Sequence, residues 1–325
     1  MSKIIVLTPV KNEDWILECF LRITSTFADH ILIADQNSTD RSHDIYKKFS
    51  KVTLIQNESI TYNESDRQIL LINTARELFG NNNILLALDA DEIIAFNKQS
   101  EQCFNLIRQQ KAGTVIFIEK PDLFKSPWNC IRYSDNYFPI GFVDDGTIIQ
   151  PKKIHSVRIP MPSNFQSYKE YNLKLLHFGL VNTHRQKAKV RYYSAVEAVL
   201  RTKGVLVRRE NYNPATDISK RETTITITKT PERWLSHFTE IELQKLSSSY
   251  FYMWYYKEIL SYFEKYGSRK FWGDNIWDVN WDNEKGRYGF ENLKIMPPPF
   301  WAVRVFDSLL LLKNLTKKLI RGNNG

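Results

Sequence analysis

Ile84-Leu85-Leu86-Ala87-Leu88-Asp89-Ala90-Asp91-Glu92 is the stretch on which the fold turns. Its first half is a continuous apolar run of strand length, the pattern of a strand buried on both faces in a parallel sheet. Its second half sets three carboxylates at the strand's carboxyl end, where open α/β sheets bind their ligands. Side chains alternate along extended backbone, so Asp89 and Asp91 are expected on one side. Two carboxylates placed so make a hard oxygen site suited to Mg2+ or Mn2+.

Working outward, the chain before this stretch alternates strand and helix. Strands are expected at 3–8, 30–34 and 52–55, and helices at 14–27, from Ser38 or Thr39 as cap through Phe49, and at 65–79. That order implies right-handed crossovers and a mostly parallel sheet. Beyond it, 98–110 reads as helix and 114–119 as strand, while 121–180 reads as irregular, with proline breaks and short strands. Residues 184–202 read as helix, and a polar, threonine-rich stretch follows over 205–229. Thr230-Pro231 has the form of a cap and first-turn proline, opening an aromatic helix to about Lys265. The division expected is a catalytic portion at 1–215 and a mainly helical, aromatic and basic portion at 216–325.

With 325 residues and 42% hydrophobic content, the chain has the makings of a sizeable core. A net charge of +9 favours polyanionic partners without choosing among nucleic acid, anionic membrane and phosphorylated substrate. Cys19, Cys103 and Cys130 lack metal-type spacing and read as buried, reduced thiols of a cytosolic protein. No secretory signal is visible, and no apolar run approaches the roughly 18 residues of a membrane span. Dinucleotide, P-loop, nucleophile-elbow and zinc patterns are all missing.

Three polar clusters fall at carboxyl ends of strands expected to be parallel: Thr8-Pro9-Val10-Lys11-Asn12-Glu13, Asp35-Gln36-Asn37-Ser38-Thr39-Asp40 and Asp89-Ala90-Asp91-Glu92. They should therefore share one edge of the sheet. In order and spacing they resemble the Pro-x-x-Asn-Glu, Asp-x-x-Ser-Thr-Asp and Asp-x-Asp elements of family 2 glycosyltransferases with the GT-A fold. The resemblance extends over roughly residues 1–200 and is strongest before residue 95; Gln36-Asn37 stands where Asp-Gly is common. It implies an α/β fold, Rossmann-like with helices flanking the sheet, and a helical carboxyl-terminal extension. It also implies a metal-dependent, inverting transfer of sugar from a nucleotide sugar, most often UDP-linked, to a hydroxyl of a glycan or lipid-linked acceptor. Bacterial surface polysaccharide or lipopolysaccharide synthesis is the setting it suggests.

Position by position, the resemblance puts Thr8 and Pro9 on the nucleotide pocket, Glu13 near base or ribose, and Asp35 on a nucleobase N–H. Arg67 would face base or diphosphate, Asp91 would bind the cation, and Asp89 would hold ribose or a metal-bound water. His177, in Leu175-Leu176-His177-Phe178-Gly179, is the candidate to complete the metal shell, with His155 as the second choice. Each has a plainer reading: caps for Glu13 and Asp40, a surface ion pair for Arg67, a packed histidine for His177. For the base that deprotonates the acceptor, Asp144 and Asp145 are the candidates, set against a simple Asp-Gly turn, with Asp135 and Asp122 behind them.

Phe300 through Arg321 joins an apolar face to Arg304, Lys313, Lys317, Lys318 and Arg321, the profile of an interfacial helix. It is read either as a peripheral contact on the inner face of the membrane or as a helix packed on the protein. Two other classes stand beside the enzyme: a catalytically silent sugar-binding scaffold of the same fold, and a basic nucleic-acid binder. The acidic cluster argues against the second, so no nucleic-acid partner is expected.

Overall fold

The structure is a computed structural model that describes residues 2–56, 64–133, 136–148, 158–161, 164–215, 226–247 and 253–322. In chain order its elements are β1 (Ile4–Val10), α1 (Asp14–Thr24), β2 (His30–Asp35), α2 (Ser42–Tyr46), β3 (Val52–Gln56), α3 (Glu64–Phe79), β4 (Ile84–Ala87) and β5 (Glu92–Ile94). There follow α4 (Ser100–Arg108), β6 (Thr114–Glu119), β7 (Asp122–Phe124), β8 (Asn129–Arg132), β9 (Tyr137–Val143) and β10 (Gln166–Leu180). The remainder comprises α5 (Thr183–Leu200), α6 (Val205–Asn211), β11 (Thr226–Lys229), α7 (Glu232–Leu235), α8 (Glu240–Ser247), α9 (Trp254–Tyr266), α10 (Trp281–Arg287) and α11 (Phe300–Gly322).

The chain divides into two compact units that interleave in sequence: residues 1–182 with 222–248, and 183–221 with 249–325. The first holds one sheet, ordered β11-β8-β7-β10-β6-β9-β4-β1-β2-β3, with β5 attached to β10. β3, β2, β1 and β4 are mutually parallel. β9 runs against both β4 and β6, and β6 is parallel to β10. Across the centre, then, only β9 is reversed, and the sheet is mostly parallel. Val6, Leu7, Ile31, Leu32, Leu85 and Leu86 are fully or almost fully buried, as continuous apolar strands flanked by helices must be.

α1 packs Ile16, Leu17, Phe20, Leu21 and Ile23 into the same core as Ile4, Val6 and Ile31. That core is completed late in the chain by Trp234, Leu235, Phe238, Leu243 and Leu246 of the segment carrying α7 and α8. Arg22 on α1 clasps Glu242 on α8 through two 2.9 Å bonds and also donates to the His237 carbonyl.

In the second unit, α5, α9 and the stretch after it enclose a separate aromatic core built on Tyr192, Trp254, Tyr255, Phe263, Phe271 and Trp281. α11 is fixed to α6 by Arg209–Asp307 at 2.5 Å and Lys313–Glu210 at 2.8 Å.

Several expectations are corrected. The single helix expected from 231 to about 265 is broken: α7 ends at Leu235, and α8 starts afresh at Glu240. The break is a capping box, in which Thr239 N–H donates to Glu242 and Glu242 N–H donates to the Thr239 hydroxyl. The stretch expected to be irregular contains β10, a strand of 15 residues. Neither Ser38 nor Thr39 caps α2; the Asp40 carboxylate accepts the Ser42 N–H at 2.9 Å instead. The three cysteines are buried and unpaired, and burial pushes the Cys19 thiol up to about 12.

Gly141 on β9 sets the β4–β9 contact. A Cβ there would lie 2.4 Å from the Leu85 carbonyl oxygen and 2.6 Å from a Leu86 methyl. Backbone cannot yield as a flexible side chain does, so Gly141→Ala should destabilise the protein by about 2–3 kcal/mol. Urea unfolding followed by circular dichroism measures this; an unchanged midpoint would show that the two strands can part without cost.

Candidate active site

The loops after β1 and β2 are knitted into one surface. Asn12, at φ 54°, turns the chain out of β1, and Asn is among the side chains that best tolerate that region. Its side-chain oxygen accepts the Thr39 N–H at 2.6 Å and the Asp40 N–H at 3.2 Å, while its own N–H donates to Ser38 Oγ. Asp40 accepts the Asp14 N–H at 2.9 Å in the first turn of α1. Glu13 is the N-cap residue of α1, and its carboxylate accepts the Trp15 indole N–H at 2.5 Å. Asp35 is buried; one oxygen accepts the Ser38 N–H at 2.8 Å and the other the Tyr46 hydroxyl at 2.7 Å. Burial and the Asp35 charge raise the Tyr46 pKa well above its ordinary range.

At the end of β4 the charges are densest. Glu92 is fully buried. It pairs with Lys120 at the end of β6 and with Arg158 at 2.5 Å, and it accepts the Asp89 N–H at 3.1 Å. Arg158 also grips Asp89 at 2.6 Å, and both cations lie over the Phe138 ring. Burial pushes the Glu92 carboxyl upward, but Arg158 and Lys120 hold it far below its ordinary value. Asp89 lies on the open side of the cluster, with 37% of its side chain exposed. Desolvation by the surrounding protein still raises its pKa, with Arg158 opposing. Burial disfavours the charge on Arg158, yet Asp89 and Glu92 raise its pKa beyond the ordinary arginine range.

Beside this cluster, β10 pairs antiparallel with β5, setting His177 opposite Glu92. Nδ1 of His177 lies 2.5 Å from Asp122 Oδ1, and the other Asp122 oxygen accepts the Tyr133 hydroxyl. With Nδ1–H donating to that carboxylate, Nε2 is left as the acceptor nitrogen; it lies 3.7 Å from Asp91 Oδ2. A Cβ on Gly179 would sit 2.6 Å from this Nε2 and 3.3 Å from Asp91 Oδ2, so only glycine leaves the space between them open.

Among the described residues no cluster of three or more His, Cys, Asp or Glu side chains is arranged as a metal cage. Asp91 and His177 still fit one divalent cation. Two donors each about 2.1 Å from a common ion stand roughly 3–4 Å apart, and a carboxylate behind the histidine is the usual support of a metal ligand. Mg2+-type ions take few protein ligands and complete their shell with phosphate and water. Asp89 pairs with Arg158.

Arg67 on α3 donates to the Gln36 side chain at 2.9 Å, and its charge is felt at Asp89. It therefore links the ends of β2 and β4. Thr8 is buried at the end of β1, with Pro9 half-buried beside it. Thr8 Oγ1, Arg67 Nε and Gln68 Nε2 are buried polar atoms with no hydrogen-bond partner, a debt that polar ligands commonly settle.

Asp144 and Asp145 are not part of this edge. β9 is antiparallel to β4 with Val143 opposite Ile84, so its carboxyl end lies beside the start of β4, away from Asp91. Asp144 is fully buried and held by Arg76 at 2.7 and 3.0 Å, and it accepts the Gly146 N–H. Asp145 accepts the Thr147 N–H; burial raises its pKa, but the bonds to Thr147 outweigh that and lower it. The base reading gives way to the turn. Asp135 and His155 lie outside the described residues.

Lys120, Arg158 and Tyr46 had not been singled out. Glu119-Lys120-Pro121-Asp122 follows a recognisable strand and could have been found as a fourth polar cluster at a strand end. Arg158 is brought in by tertiary structure and carries no local signal.

This edge, with acidic, imidazole and guanidinium groups on converging loops of a mostly parallel sheet, is that of an α/β enzyme handling a charged ligand. Residues 5–137 match the family model described as glycosyl transferase family 2, a segment that takes in β1 through β8. That segment is similar to the family, and it spans less than half of the chain. No curated protein sequence matches it. Among solved structures it is similar to S. aureus TarS 1-349, at 15% identity and TM-score 0.34 over 89% of this chain and 92% of that one. It is also similar to glucosyl-3-phosphoglycerate synthase from Mycobacterium tuberculosis, solved with Mn2+, uridine diphosphate and glucosyl-3-phosphoglycerate. There the identity is 15% and the TM-score 0.27, over 37% of this chain and 44% of that one. A 4-diphosphocytidyl-2C-methyl-D-erythritol synthase scores 0.32 at 15% identity, covering 44% of this chain and 75% of that one. Likenesses this distant carry no weight for substrate or mechanism.

The Glu92 cluster has a measurable acid signature. A carboxyl with a depressed native pKa stabilises the fold fully above its ordinary value of 4.5, and that stability is lost as pH falls toward the native value. Urea midpoints should therefore drop between about pH 5 and pH 3, and Glu92→Gln should be weaker at neutral pH with a flatter acid limb. Parallel acid limbs for the two proteins would remove Glu92 from that role.

Proposed function

We propose that the protein transfers a sugar from a UDP-linked donor, with inversion, to a hydroxyl of a glycan or lipid-linked acceptor of the bacterial surface, using Mn2+ or Mg2+. The observation that carries this is the Asp91–His177 pair, 3.7 Å apart at the strand edge with Asp122 behind the imidazole. The cation would neutralise charge growing on the departing diphosphate. Asp91 and His177 hold it, and Asp122 fixes the ring of His177. Lys120 and Arg158 keep the buried Glu92 ionised and in place. Arg67, Thr8 and Pro9 border the nucleotide, and Asp35 and Glu13 shape the loops that receive its base and ribose. The first unit thus binds the donor. A nucleic-acid role has only the net charge in its favour, and the acidic edge opposes it.

α11 supports a peripheral membrane contact at the inner, cytoplasmic face. Trp301, Val305, Leu309, Leu312 and Leu315 follow helical spacing and are 43–65% exposed, while Ala302 is buried. Among the described residues no helix is long and apolar enough to cross a membrane.

Thermal-shift titration with a panel of nucleotide sugars, with and without Mn2+, tests the donor reading. One UDP-sugar should raise the melting temperature in a Mn2+-dependent way. Asp91→Ala should abolish that dependence, and Asp122→Ala should weaken metal affinity about 10–100-fold. A full panel without a shift, or a shift indifferent to Asp91, would reject it; a shift without sugar transfer to any acceptor would favour the silent scaffold.

For the membrane contact, the protein should float with vesicles containing phosphatidylglycerol and stay behind with neutral ones. Trp301→Ser with Leu312→Ser should abolish flotation. Equal behaviour with both vesicle types would remove that part of the reading.

A further inference from the structure

The second unit has a cleft of its own, of about 200 Å3, formed where residues 209–215, 272–278 and the start of α11 meet. Its wall includes Trp272, Trp277, Asn275, Asn213, Asp278 and Arg209. We propose that this cleft binds one sugar ring of the acceptor glycan, a reading that rests on the protein being a transferase with a saccharide acceptor.

The two indoles are fixed platforms. Trp272 donates its N–H to the Met296 carbonyl and Trp277 donates to the Phe271 carbonyl, at 2.8 and 2.9 Å. Their polar edges are therefore committed, and ring faces are what they offer. One face of Trp277 is stacked on Phe263 at 5.5 Å and 6°, and Arg269 lies over Trp272 at 5.7 Å. Aromatic rings held in this way bind without an ordering cost.

The same wall carries planar polar groups of the kind that read hydroxyls. Asp278 keeps 54% of its side chain exposed while held by Arg191 at 2.5 and 2.8 Å. The Asn275 amide nitrogen donates to the Arg209 carbonyl, which leaves its oxygen to accept. Apolar walls with a few fixed polar groups are the general make-up of a small-molecule site.

Charge and size then select the ligand. Arg209 is matched by Asp307, Asp274 by Arg208, and Asp278 by Arg191. Among the described lining residues, then, each charged side chain has a partner of opposite sign, and none is left over to draw a phosphate or nucleotide. The volume lies below the roughly 300–1,000 Å3 of clefts that enclose drug-sized ligands. A neutral polyol ring satisfies both limits, with the rest of the chain continuing into solvent.

The test uses the whole 325-residue chain with maltohexaose, cellohexaose and chitohexaose as probes, read by tryptophan fluorescence and saturation-transfer NMR. At least one should bind with a Kd of about 1 mM. Trp272→Ala and Asp278→Asn should each weaken it about tenfold, while leaving any Mn2+-dependent shift with UDP intact. Asp278→Asn keeps the side-chain shape and so guards against a folding defect in the tryptophan variant. If none of the three sugars binds, or if binding is unmoved by both substitutions, the cleft is not a saccharide site. Sugar binding without any UDP response would uphold the cleft while rejecting the donor reading.

Discussion

A fully buried carboxylate, Glu92, governs the architecture of the strand edge where the candidate site lies. An ionised group in that position is tolerable only with cations brought to it, and losing one partner of a buried pair costs about 3–5 kcal/mol. Lys120 comes from the end of β6 and Arg158 from far along the chain. The need to satisfy one side chain thus draws three separate segments to one point. Asp89, Asp91, Asp122 and His177 are placed around that point as a consequence. The site's shape is set by electrostatics within the fold before any ligand arrives.

The loops after β1 and β2 teach a related lesson about motifs. Asn12, Ser38 and Asp40 spend their polar atoms on one another and on helix starts. Asp35 likewise holds Ser38 and Tyr46. Much of what makes these elements recognisable is the hydrogen bonding that presents a rigid surface at the strand ends. Fewer side chains remain for the proposed chemistry, chiefly Asp91 and His177.

What could be read from sequence follows from the range of the forces involved. The apolar run 84–88 and the alternation before it are local patterns, and they placed β1 to β4 and their shared edge. The capping box at Thr239 is equally local but is masked by the helical spacing of the aromatic run across it. β10 was harder: its exposed, charged first half, from Gln166 to Asn172, lacks the apolar signature of a buried strand. Asp144 and Asp145 misled for a topological reason, since a strand's direction within a sheet is decided by distant pairings. Arg158 belongs to the same class, a residue whose importance is defined by what lies across space from it.

The first unit resumes at residue 222 after the chain has already begun the second. Trp234, Leu235, Phe238, Leu243 and Leu246 belong to the core that α1 and β1 begin. During synthesis, that core stays open on one side until the ribosome has moved past residue 248. Residues 1–182 of the same unit must wait for it, with apolar surface that a chaperone would recognise. Closure of this core therefore depends on helices made long after its strands.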